Sequence, residues 1–92
     1  MEEKVLTLHP RGKRGVRIDK AKYETMRKTI LDALGKGSLT HNDLTSAVER
    51  KLQGKFEGSI PWYMEGTKLD LEARGIIERV SDEKREIYRA KR

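Results

Sequence analysis

Gly75 divides the C-terminal half of the chain into two periodicities. Before it, Ile60, Met64, Thr67 and Leu71 recur at intervals of three and four, the spacing of one helix face. After it, Ile76-Ile77-Glu78-Arg79-Val80, a charged turn at Ser81-Asp82-Glu83-Lys84, and Arg85-Glu86-Ile87-Tyr88-Arg89 read as strand, turn and strand. A glycine at such a joint takes the left-handed backbone geometry that ends a helix. The chain must therefore run from a helix straight into a β-hairpin, and the fold class is α+β, mainly helical.

Two more helices precede this junction. Asp19 is placed as an N-cap, and Ile18 before it can staple onto Tyr23. Tyr23, Met26, Ile30, Ala33 and Leu34 then form a stripe that stops at Gly35 and Gly37. Thr40 caps the second helix with Asp43 three residues on, and Leu44, Ala47, Val48 and Leu52 face the core. Ser59-Ile60-Pro61 opens the third helix with a cap and an early proline. The expected spans are 19–35, 40–53 and 60–74 for the helices and 76–90 for the hairpin. Residues 1–18 alternate weakly on either side of His9-Pro10-Arg11-Gly12-Lys13-Arg14-Gly15, which is turn chemistry, so they read as a basic N-terminal arm or short hairpin. Residues 19–92 make up the domain itself.

The run Leu71-Glu72-Ala73-Arg74-Gly75-Ile76-Ile77-Glu78-Arg79-Val80 resembles the end of a recognition helix passing into the wing of winged helix-turn-helix proteins. Thr40-His41-Asn42-Asp43-Leu44 resembles the start of the preceding helix of that motif. The resemblance spans roughly residues 19–90. The arm and first helix also resemble those of small bacterial winged-helix-like proteins without an assigned role. The resemblance implies a three-helix winged helix-turn-helix with a C-terminal β-hairpin wing and an N-terminal arm. It further implies a transcription-regulator type of DNA-binding protein, with the third helix in a major groove and the wing over phosphates.

Charge bears on that implication. The chain has 92 residues, no cysteine and a net charge of +6, which suits a polyanionic partner and excludes disulfides and cysteine-based zinc sites. Lys4, Arg11, Lys13, Arg14 and Arg17 stand against only Glu2 and Glu3 in the arm, whereas residues 59–75 are slightly acidic. The expected phosphate contacts are Arg11, Lys13, Arg14 and Arg17 in the arm, Lys68 on the third helix, and Arg79, Lys84 and Arg85 on the wing. The third helix is a poor base reader. Its outward side carries Trp62, Glu65, Gly66, Leu69 and Ala73 with Asp70 at the edge, where arginine, lysine, asparagine or glutamine would be expected.

Trp62, Leu69 and Ala73 fall within about 40° of one another, opposite the core stripe, so the helix is apolar on two sides. Either the arm folds over that second side, through Val5, Leu6 and Leu8, or a second copy covers it in a homodimer. The alternative to DNA binding is thus a winged-helix interaction or homodimerisation module. No enzymatic chemistry is expected. Ser38, His41 and Asp43 cluster at a helix start where capping explains them, and no oxyanion hole is visible. His9 and His41 lie in unrelated elements, so no metal is expected. No cofactor, small-molecule ligand or membrane partner is implied, and no apolar run approaches the ~20 residues of a membrane span. The expected location is the cytoplasm.

Overall fold

The computed structural model describes residues 3–13, 15–82 and 85–91. Two strands come first, β1 (Lys4–Leu6) and β2 (Arg17–Asp19), followed by α1 (Lys20–Leu34), a two-residue strand β3 (Leu39–Thr40) and α2 (His41–Leu52). Then come α3 (Ile60–Ala73), β4 (Ile77–Asp82) and β5 (Arg85–Ala90). Among the described residues no helix is long and apolar enough to cross a membrane.

The helices begin where their caps dictate. The Asp19 carboxylate accepts from the Lys22 amide, the Thr40 hydroxyl from Asp43, and the Ser59 hydroxyl from Trp62. The end of α3 closes in a Schellman arrangement. Gly75 has φ +75°, its amide donates to the Glu72 carbonyl, and the Ile76 amide donates to that of Leu71 at 2.9 Å. That closure turns the chain directly into β4. The three helices and the C-terminal hairpin lie within a few residues of the expected spans, and of the two readings of the arm the hairpin is the observed one.

Two antiparallel sheets result, one of β1 and β2 and one in the order β3-β5-β4. β3 has no signature in the sequence, because Leu39 and Thr40 read only as the residues before a helix. Two residues carry no alternation, and the strand exists because Leu39 pairs with Tyr88 and Thr40 with Ile87.

The core lies between the three helices and the second sheet. Met26 and Ile30 of α1, Leu44 and Val48 of α2, and Met64 and Leu71 of α3 are wholly buried against Ile77 and Tyr88. The α3 stripe points inward as its spacing requires, with Ile60 half-buried at its start. Leu71→Ala is expected to cost ~2–5 kcal/mol, the range for a large-to-small change in a closed core. Urea denaturation measures this directly. An unchanged unfolding midpoint would mean that Leu71 does not face the core.

Candidate nucleic-acid interface

The outward side of α3 is covered in part, and one carboxylate organises the cover. Asp70 is fully buried. Its Oδ1 accepts from the backbone amide of Leu8 at 2.8 Å, its Oδ2 accepts from the Tyr23 hydroxyl of α1, and Arg74 Nε donates to both oxygens at 3.0 and 2.9 Å. A buried charge is tolerable only when paired and hydrogen-bonded, and here three donors from three parts of the chain supply that. Burial first, and the Asp70 hydrogen bond second, raise the Tyr23 hydroxyl to about 12. The same carboxylate, chiefly through its hydrogen bond, raises the Arg74 guanidinium above its ordinary value.

Two further features seat the arm. Thr7 and Val16 close the β1–β2 ladder, with the Thr7 hydroxyl donating to the Val16 carbonyl and accepting from the Val16 amide. Gly66 lies beneath the hairpin, where a Cβ would meet Ile18 at 3.6 Å and Val16 at 3.7 Å, ordinary contact distances.

The expected site residues separate into groups. Arg11, Lys13 and Arg17 are exposed on the hairpin and its loop. Arg14 and Lys84 lie outside the described residues, and Arg85 is exposed. Arg79 is half-buried between Glu72 at 3.0 Å and Glu86 at 3.2 Å. Burial pulls its guanidinium down, but the Glu72 hydrogen bond, Tyr88 and the two carboxylates outweigh that and leave it raised. Its charge is thus already met within the protein.

Lys68 departs from expectation. It is 2% exposed, and its Nζ donates to His41 Nδ1 at 2.9 Å and to the Tyr88 hydroxyl at 3.2 Å, with Glu65 at 3.4 Å. It ties the start of α2, the middle of α3 and β5 together and offers nothing to a phosphate. Asp70, placed at an exposed edge by the helical wheel, is likewise inside. The wheel puts Asp70 at the edge of the outward side and Lys68 near it, whereas each is buried by the partners that satisfy it.

Leu69 and Ala73, expected at an interface, are half-buried: Leu69 lines a cavity with residues of the His9–Lys13 loop, and Ala73 lines one with Leu6 and Leu8. Trp62 lies outside the cover, 51% exposed, with its ring 4.8 Å from that of Tyr63 in an edge contact. Among the described residues no group of three or more histidines, cysteines or carboxylates is placed to hold a metal ion.

Compared with known families, residues 4–87 match one described as a family of unknown function, DUF6958. No curated protein and no solved structure matches the chain.

The Tyr23–Asp70 bond has a pH signature. A hydroxyl raised from about 10 to about 12 contributes stability that is fully present below pH ~10 and is lost as pH rises through about 12. Tyr23→Phe should lower stability at neutral pH by ~1.5–3 kcal/mol, the range for a hydrogen bond to a charged group. The gap between the two proteins should narrow above pH ~10. Denaturation curves on both proteins from pH 8 to pH 12 check this, and a gap that stays constant would contradict it.

Proposed function

The chain belongs to the DUF6958 family, and we propose that it is a winged-helix-type protein that binds double-stranded DNA mainly through phosphates. The winged-helix reading is supported by the order helix, short strand, helix, helix, hairpin, with the short strand added to the hairpin's second strand. The observation that carries the binding reading is the arm. Arg11, Lys13 and Arg17 are exposed on a hairpin held against α3 by the Asp70–Leu8 bond. Cations on a fixed support lose less freedom on binding than cations on a loose tail.

The same hairpin removes α3 from the reader's role. Gly66, Leu69, Asp70 and Ala73 lie under or beside the arm, and Lys68 is spent inside. Contact through arm cations neutralises phosphates and carries no base information, so binding is salt-sensitive and indifferent to sequence. Such a protein acts on DNA generally, or gains site preference from DNA shape or a partner.

A second reading rests on Trp62. An exposed tryptophan at the start of a helix is a favoured anchor at protein interfaces, and a homodimer that buries it is the alternative. Light scattering separates the two: a monomer with exposed tryptophan fluorescence excludes the dimer.

For DNA, three or four phosphate contacts give a log-affinity slope against log salt near −3. Affinity for a mixed-sequence duplex should therefore fall roughly 40–150-fold between 50 and 200 mM salt, by about the same factor for unrelated duplexes. Fluorescence anisotropy measures it. No binding at 50 mM salt would overturn the reading, and a strong preference for one duplex would return base contacts to the protein.

A further inference from the structure

The start of α3 carries an aromatic chain that the arm leaves uncovered. The Phe56 and Tyr63 rings meet edge to face at 5.2 Å, and those of Tyr63 and Trp62 do so at 4.8 Å. Gly58, at φ +116°, passes so close that a Cβ there would stand 2.7 Å from Tyr63 Cε2, so the loop before the helix closes on the Tyr63 ring. Phe56 and Tyr63 are half-buried against the main core, while Trp62 at their end is 51% exposed. The indole is open to solvent on a fixed support.

The charge beside it is positive. Lys22 of α1 holds its Nζ 5.2 Å from the centre of the Tyr63 ring and has no ion pair among the described residues. One turn further along α3, Val16 of the hairpin lies over Gly66, and the exposed Arg17 follows it. The nearby acids are engaged or offset. Asp19 accepts from the Lys22 amide, Glu65 is met by Lys68, and the exposed Glu57 shares its loop with the exposed Lys55.

We propose that Trp62 is a stacking platform for an unpaired nucleobase, with Lys22 on a phosphate of the same strand. The inference rests on the DNA-binding reading above and names the substrate: DNA carrying unpaired bases, as in a gap, a tail or a junction, beside the duplex that the arm holds. Every base has a π-face, so an aromatic ring with a cation nearby takes an unpaired strand whatever its sequence. In a duplex those faces are stacked inside. Trp62 therefore selects by DNA structure, which phosphate contacts from the arm do not. A preformed ring also loses little freedom when it binds. Charge decides the occupant. A two-fold contact through Trp62 would set two copies of Lys22 and two basic chains against each other, whereas a nucleic-acid strand brings phosphates.

Trp62 is the single tryptophan of the chain, so its fluorescence reports this position alone. An oligothymidylate of about 12 nucleotides, within the site sizes of single-strand binders, should quench it saturably. A mixed-sequence duplex at the same phosphate concentration should quench it far less. By anisotropy of the labelled oligothymidylate, Trp62→Ala should weaken binding roughly 5–150-fold, the span for one stacked base, and Trp62→Phe should recover part of the loss. Lys22→Ala should flatten the salt slope by about 0.7. Lys36→Ala, which removes an exposed cation beyond the end of α1, should change affinity less than about twofold. Thermal melts confirm the fold of each variant. Duplex binding with no quenching by oligothymidylate, and Trp62→Ala binding like the unmodified protein, overturns the platform while the DNA reading stands. Quenching by oligothymidylate without duplex binding keeps the platform and removes the duplex reading. Emission that moves to the blue as protein concentration rises, and ignores the oligonucleotide, gives Trp62 to a second copy and overturns the proposal.

Discussion

The Asp70 carboxylate is the point on which the arrangement turns. It sits on α3 facing away from the main core, and by itself would be a charge stranded beneath a protein surface. Leu8, Tyr23 and Arg74 meet it from the arm, α1 and the last turn of α3. Removing one partner of such a group typically costs more than forming the set gains, so the three elements are committed to one another. The arm is thereby part of the fold and not an appendage. Ile18 is buried to 1% at the hairpin's second strand and continues into the Asp19 cap of α1, so the arm is anchored at its other end as well.

Covering α3 has a functional consequence. A helix whose outer side is free can enter a groove, while one roofed by a hairpin presents the hairpin instead. Two of the expected phosphate contacts off the arm are engaged within the protein. Lys68 is inside, bonded to His41 and Tyr88, and Arg79 is held by Glu72 and Glu86. The exposed arm cations stand outside, on a support fixed to the domain. This is the physical basis for placing phosphate contact on the arm and for expecting no base selection by α3.

Much of the fold was legible because its signals are local. Asp19, Thr40 and Ser59 are caps whose side chains reach amides three residues on, and Gly75 ends a helix because it alone takes that backbone geometry cheaply. The inward stripe Met64, Thr67 and Leu71 follows from spacing. The cover on α3 was only half legible. Apolar residues on two sides pointed to an arm or a second copy, and the choice depended on a hydrogen bond between residues 62 apart in sequence. Lys68 and Asp70 were misplaced for one reason: polarity predicts solvent only when no internal partner exists, and partners from other elements leave no mark on a helical wheel. Tyr88 was read as wing, though its ring fills the core, because a short alternating strand does not reveal which face is inward.

Native-state hydrogen exchange at the Leu8 amide tests the coupling of arm and helix most directly. If the amide is bonded to Asp70 in the folded protein, it exchanges slowly, with protection approaching that of the α3 amides beside it. Exchange at the rate of an open chain, with α3 still protected, would show that the arm is not held on the helix, and the outer side of α3 would again be free to enter a groove.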